Sequence, residues 1–395
     1  MTVEFQAVLF CWPEGEVDKL TQNLPIALLR LGNVPLIDYH LALLERFGIT
    51  DLIIICPPSD FEAIAVHLSD RESMKISLQS SDPHEGTVVV LKRLIDKHFI
   101  TRDVFVSSIC SVMSSLFHDM VDLFRIRDAC CVFLASKPDK IPSIASSFAL
   151  FTEQVCSNKV VGIMDGEELD VDLDDASELT MSFGLLQRFP RISIRTDLCP
   201  SQVFLFSFPC LNQILQQESN GSLWHDILPK LILNSLTDSR NPGVYAHVQE
   251  GLTVHLTSPK DVLSLSSKVV TGGLRQVVTP ISVDPEVTGT IKNSLFSGPI
   301  SGGVDSTIIN SSIGLGVELG AHVQVKNSTV LDGVVVGDQT NITSSFIAGN
   351  TSIGKNVQIK NSIICTALTI ADNVTITDAV YESPSVSFDD VVFFE

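Results

Sequence analysis

Three groups of residues in this chain carry atoms that could do chemistry. The first is the stretch LFCWPEGEVDKLTQNLPIALLRLGNVPLI at residues 9–37, an apolar run followed by a polar loop, a helical stretch and a Gly-Asn-x-Pro turn. A loop in that place can hold a phosphate against backbone N–H groups, but only with glycines for close approach and cations for charge. Here it carries Trp12, Glu14, Glu16 and Asp18. The second group is DGEELDVDLDDASE at residues 165–178, with eight carboxylates. Asp170, Asp172 and Asp174 alternate as in a calcium loop. Asp175 fills the place of the turn glycine, however, and no Glu closes the loop at the twelfth position, so a solvated acidic loop or hairpin is expected. The third group is nine cysteines, Cys11, Cys56, Cys110, Cys130, Cys131, Cys156, Cys199, Cys210 and Cys365. Their number is odd, no C-x-x-C pair occurs, and most lie in apolar runs such as ACCVFLA. The expectation is buried, reduced thiols in a cytosolic protein.

Composition narrows the function classes. The chain has 395 residues, enough for two or three domains. Apolar residues make up 45% and the net charge is −20, with an isoelectric point near 4.7. Lys and Arg form no cluster, so direct nucleic-acid binding is not expected. Acidic repulsion disfavours anionic membranes. No apolar run reaches membrane-span length, and the N-terminus lacks a basic segment with a small-residue cleavage site. The sequons Asn327-Ser-Thr and Asn341-Ile-Thr are then expected to be chance matches.

The elements that would position these groups change in grammar along the chain. In the first half, strand-like and helix-like segments alternate: strands at 5–11, 50–58, 103–110 and 129–136, and helices at 35–48, 61–70, 87–99 and 115–128. This rhythm predicts a mostly parallel sheet covered on both faces, with ligands bound beyond the carboxyl ends of its strands. Further strands are predicted at 189–198 and 201–208, and a helix at 224–234. Residues 256–285 read as a helix and a Gly-containing connector.

After that a repeat takes over. Ile313, Leu319 and Val325 recur 17 residues later as Val330, Val336 and Ile342, then as Ile347, Ile353 and Ile359, then as Ile364, Ile370 and Ile376. An earlier partial coil contains Phe296, Gly302 and Ile308. Internal steps of 6, 6 and 5 with aliphatic anchors predict a three-sided parallel solenoid, one anchor per side pointing inward. This is the hexapeptide-type pattern of a left-handed β-helix. Some solenoids carry transferase sites built around a histidine between coils, but His322 alone lies in this repeat, and an incidental surface role is expected for it.

A parallel-sheet domain followed by such a solenoid resembles the sugar-nucleotidyltransferase family. Its opening runs Ala-Gly-Gly-x-Gly-x-Arg-Leu-x-Pro-Leu-Thr, then Pro-Lys-Pro, then a Gly/Asn turn and Pro. Val17, Leu20, Thr21, Pro25, Leu28, Leu29, Gly32, Asn33 and Pro35 keep that frame. By the resemblance, Trp12 and Glu14 occupy glycine positions, Glu16 that of the arginine, Ile26 that of the lysine, and Cys110 that of the aspartate that holds the catalytic metal. Glu beside a triphosphate repels: at a few ångströms and an effective dielectric of about 20, each like-charge pair costs about 4 kcal/mol. A thiol does not replace a carboxylate for Mg²⁺. Neither a Glu-Lys-Pro sugar motif nor a P-loop occurs. A degenerate, non-catalytic site without cofactor or metal is therefore expected.

Within that superfamily, EFQAVLF, GNVPLIDYHLALLERFGITDLIII, FPRISIRTDL and VYAH resemble the gamma subunits of eukaryotic translation initiation factor 2B. The resemblance implies a cytosolic partner of the epsilon subunit in a complex with beta, delta and alpha subunits. That complex exchanges GDP for GTP on initiation factor 2. The epsilon subunit continues into a helical catalytic domain, and with Glu395 soon after the last coil none is expected here. The expected layout is a nucleotidyltransferase-like domain at 1–255, a linker at 256–285, a left-handed β-helix at 286–382 and a tail at 383–395. The alternatives are an inactive regulatory subunit of a GDP-mannose pyrophosphorylase, with the degenerate pocket sensing a GDP-sugar, and a transferase with displaced catalytic groups.

Overall fold

The structure, a computed structural model, describes residues 4–20, 24–69, 71, 73–114, 117–137, 149–152, 158–164, 192–195, 197–217, 220–237, 241–249, 251–274, 277–278, 289–381 and 392–393. Thr21, Cys156, the acidic run 165–178 and all of the 383–395 tail except Val392 and Phe393 lie outside them. The chain forms two compact units. The first comprises Met1–Cys11 and Leu43–His255, and the second Trp12–Ala42 and Leu256–Glu395. The opening loop and turn thus group with the C-terminal part of the chain, although most of the sheet follows them in sequence.

The first unit is built on a seven-stranded sheet. Its strands are β1 (Gln6–Phe10), β2 (Asp51–Cys56), β3 (Lys75–Ser80), β4 (Val104–Ser108), β5 (Cys131–Ser136), β6 (Cys199–Phe206) and β7 (Val244–Gln249). Their spatial order is 7-5-6-4-1-2-3. β6 runs antiparallel to β4 and β5, and every other pairing is parallel. A strand buried on both faces needs apolar residues at successive positions rather than alternate ones, and DLIIIC of β2 is buried throughout. The helices are α1 (Leu36–Phe47, which crosses the division between the units), α2 (Phe61–Leu68), α3 (Thr87–Asp96), α4 (His118–Ile126), α5 (Phe208–Gln217) and α6 (Leu228–Thr237).

Aromatic residues fill both faces of this sheet, because successive strand residues point to opposite sides. Phe105 meets Phe5, Phe47 and Phe117 at ring-centroid distances of 5.6, 5.7 and 4.9 Å. Phe133 and Phe204 meet Trp224 at 5.6 and 6.3 Å. Ala149–Thr152, Val160–Met164 and Ser193–Arg195 form a separate antiparallel sheet. The single helix expected over 224–234 is instead a π-helical turn, Leu223–Ile227, followed by α6. Pro229 has no N–H to donate and is tolerated only in the first turn of a helix, so α6 restarts just ahead of it.

The second unit contains the left-handed parallel β-helix. Each anchor stacks on its counterpart one coil away: Ile313 on Val330, Ile347 and Ile364; Leu319 on Val336, Ile353 and Ile370; Val325 on Ile342, Ile359 and Ile376. All twelve are buried, none more than 5% exposed. The partial coil of Phe296, Gly302 and Ile308 stacks beneath Ile313, Leu319 and Val325. Each corner holds one left-handed residue per coil: Asn310, Asn327, Ser344, Asn361 and Asp378 along one edge, Asp305, His322, Gln339, Asn356 and Asn373 along another, and Gly316, Gly333, Asn350 and Ala367 along the third. Asn, Asp and Gly tolerate that conformation best. His322 is one member of such a column, exposed at its corner.

Buried serines satisfy the backbone at the first of these edges. Ser311, Ser328, Ser345 and Ser362 each donate to the carbonyl two residues back, at 2.7–2.8 Å. Each accepts the N–H of the residue 17 further on, at 3.1–3.3 Å. Buried backbone donors need such partners. The sequon Asn327-Ser-Thr is therefore a corner asparagine followed by a ladder serine. Val392–Phe393 adds an antiparallel strand to Ala379–Tyr381, covering one end of one solenoid face.

Candidate functional site: a closed opening loop and a thiol-lined sheet end

In the first unit the chain runs outward from β1 through β2 to β3, then returns to place β4 against the other side of β1. That reversal is where open α/β sheets bind ligands, beyond the carboxyl ends of the strands. Cys11 follows β1, Cys56 ends β2 and Cys110 follows β4, all fully buried. The Cys11 N–H donates to the Ile55 carbonyl at 2.7 Å, and the Ile109 N–H donates to the Phe10 carbonyl at 2.8 Å. These bonds knit the three strand ends together. The Cys110 N–H donates to Ser108 Oγ at 3.2 Å.

Burial pushes the Cys11 thiol well up, with Cys56, Cys110 and Asp60 adding to it, and burial with Asp60 raises Cys56 to about 11. These two thiols are protonated at neutral pH, and a protonated thiol is neither a nucleophile nor a good metal ligand. Hard cations such as Mg²⁺ select carboxylates and water. Cys110, at the place where the resemblance puts the metal-holding aspartate, offers sulfur, so the residues present do not fit that ion.

Trp12, Glu14, Glu16 and Ile26 lie in the second unit. Gly15–Leu20 is a 3₁₀ turn with Val17 and Leu20 buried beneath it. Gly15, the loop's one glycine, has φ +60°, and a Cβ there would strike the Thr257 carbonyl oxygen. The Glu16 N–H donates to that same carbonyl at 2.8 Å. The bare glycine face and the backbone donor that a phosphate cradle would need are thus both occupied by the chain itself. Trp12 is buried, Glu14 half-buried and Glu16 exposed. Ile26, which the resemblance sets against the family lysine, is 1% exposed and opens the short turn Ile26–Leu28 behind Pro25.

Thr257 is held in place by the start of α7 (Pro259–Val270). Asp261 accepts from the N–H groups of Thr257 and Ser258 at 3.1 and 2.9 Å, while Ser258 Oγ accepts from the Asp261 N–H at 3.4 Å. This is a capping box with proline at the first helical position, which explains why a helix begins here.

The Gly-Asn turn is structural in the same way. Gly32 and Asn33, at φ +55° and +73°, join Arg30–Leu31 to Val34–Pro35. The Asn33 amide donates to Ser312 Oγ at 2.7 Å and Ser297 Oγ at 3.1 Å, and its oxygen accepts from the N–H groups of Phe296 and Ser297, both at 3.2 Å. A Cβ on Gly32 would run into the Val269 side chain of α7. Arg30 pairs with Asp332 at 3.3 Å. Arg30, Gly32 and Asn33 therefore hold this turn against α7 and the first solenoid coils.

Sequence reasoning singled out Trp12, Glu14, Glu16, Ile26 and Cys110 but missed Thr257, Cys11 and Cys56 as their neighbours in role. Thr257 had no signal. The two thiols had one: each lies at or within two residues of the end of a predicted parallel strand, as Cys110 does.

Comparison with known proteins agrees with this architecture. Residues 303–388 match the family model described as the GMPPB C-terminal domain. The chain is 26% identical over 271 residues to "Translation initiation factor eIF2B subunit gamma" of Schizosaccharomyces pombe, across 66% of this chain and 57% of that protein. It is 24% identical over 253 residues to the protein of the same name from Dictyostelium discoideum, across 58% of this chain and 56% of the relative. The chain thus spans a little over half the length of the curated relatives it matches.

Proposed function

We propose that this chain is a non-catalytic, gamma-type subunit of a translation initiation factor 2B complex. In this reading it pairs with an epsilon-type subunit that carries the exchange residues, in an assembly with beta, delta and alpha subunits. The assembly acts in the cytosol on initiation factor 2, replacing GDP by GTP. Names of the curated relatives support the factor. The state of the opening loop supports the non-catalytic role: the Thr257 carbonyl sits against Gly15 and accepts the Glu16 N–H, so that donor is taken up within the chain. Electrostatics point the same way, because Glu16 would repel a triphosphate where a transferase places a cation. What remains is a folded shell whose long solenoid offers stacked, solvent-facing sides, the kind of surface repeat folds use for partners.

Co-expression of the tagged chain with an epsilon-type subunit tests this. A stable pair that releases GDP from initiation factor 2 faster than epsilon alone is expected. Recovery of the chain with no such subunit, or an unchanged release rate, would sink the proposal.

The solenoid match at residues 303–388 also favours a second reading, a regulatory subunit of a GDP-mannose pyrophosphorylase. Titration calorimetry with GDP-mannose separates the two, since heat with a micromolar midpoint belongs only to the second.

A further inference from the structure

A pair of thiols away from the ends of β1, β2 and β4 has no part in the reading above. Cys210 is the third residue of α5, half-buried, and Cys130 lies just ahead of β5, 4% exposed. The two segments are tied together. The Ser207 N–H donates to the Cys130 carbonyl at 2.9 Å, Phe206 pairs with Cys131 across β5 and β6, and Leu211 donates back to Ser207 to begin α5. The Cys130 and Cys210 thiols lie close enough to influence each other's ionisation, with Ser207 beside Cys210. Sulfur at the N-terminal turn of a ten-residue helix also faces the positive end of the helix dipole.

We propose that Cys210 and Cys130 form an oxidation site for hydroperoxides, with Cys210 as the attacking thiolate and Cys130 as the resolving thiol. Interaction with Cys130, and then with Ser207, lowers Cys210 against the opposing effects of burial and of the Asp128 and Asp103 carboxylates. The same interaction, with burial, pushes Cys130 up, so Cys130 keeps the proton. In the first step Cys210 Sγ attacks a peroxide oxygen. An S–O bond forms, the O–O bond breaks, and the leaving oxygen departs as water or an alcohol after taking up a proton. The sulfur is oxidised by two electrons and the peroxide reduced by two. In the second step Cys130 loses its proton and attacks the sulfenic sulfur of Cys210, forming S–S, breaking S–O and releasing water. Partial exposure admits the oxidant to Cys210, while Cys11, Cys56 and Cys131 are fully buried.

The test treats the full chain with stoichiometric hydrogen peroxide and maps cysteine peptides by mass. A Cys130–Cys210 cross-linked peptide, formed before the other cysteines react, is the expected result. In Cys130→Ser the cross-link is lost and a dimedone adduct of sulfenic acid accumulates on Cys210; Cys210→Ser shows no adduct on Cys130. On the untreated native chain, iodoacetamide at neutral pH is expected to label Cys210 at least about tenfold faster than Cys56. This measurement needs no variant and is independent of how the substitutions fold. Equal labelling rates, or recovery of reduced Cys210 after the other thiols have oxidised, would overturn the proposal.

Discussion

Two side chains define what became of the opening loop. Ile26, which the resemblance sets against a lysine, is packed as core, and Glu16, which it sets against an arginine, is exposed. The two positions therefore differ in cost. Ile26→Lys places an unpaired ammonium in an apolar environment and is expected to destabilise the chain by about 3 kcal/mol or more. Glu16→Arg is expected to stay within about 0.5 kcal/mol of the parent. Urea melts measure both. The thiols at the sheet end set a second residue-scale expectation. Cys56 is raised to about 11, above the usual thiol value near 8.5 in an unfolded chain. Its contribution to stability is then complete below that unfolded value and lost as pH rises through the folded one. Unfolding free energy should fall between about pH 8 and about pH 11, and Cys56→Ala should flatten the slope. An unchanged slope would place the alkaline loss elsewhere.

Among the elements, the hairpin Arg30–Pro35 is the piece whose meaning the structure changed most. Its Gly-Asn turn is a shared feature of the nucleotidyltransferase frame, yet its amide works as a clamp on Phe296, Ser297 and Ser312. Asn33→Ala removes both the clamp and the residue type that accepts φ +73°. A loss of about 2–4 kcal/mol is expected, combining orphaned polar groups with backbone strain. Asn33→Gly keeps the conformation and should lose less. Equal losses in chemical denaturation would mean that the side-chain hydrogen bonds contribute all of the effect. α7 has a comparable role: its capping box fixes Thr257, and Thr257 closes the loop at Gly15 and Glu16.

Across the whole chain, the solenoid's stability is shared among neighbouring coils, as in other repeat folds. Ile342 is fully buried and stacks between Val325 and Ile359. Ile342→Ala should leave a cavity and cost about 2–5 kcal/mol, read as an earlier thermal transition by circular dichroism. No helix among the described residues is long and apolar enough to cross a membrane.

The sequence by itself determined the repeat, because 17-residue spacing is a local and recurring constraint: every coil must present the same three aliphatic anchors to the same interior. It also determined the alternating strands and helices of the sheet domain, through apolar runs and periodicity. It carried the serine ladder too, since Ser311, Ser328, Ser345 and Ser362 recur at the solenoid's own period. Tertiary structure alone decided which part of the chain claims the opening loop. Gly15 and Glu16 meet a carbonyl at Thr257, and Asn33 meets backbone N–H groups at Phe296 and Ser297. Peptide carbonyls and N–H groups are present at every residue whatever its side chain, apart from the N–H that proline lacks, so no residue type marks such partners in advance.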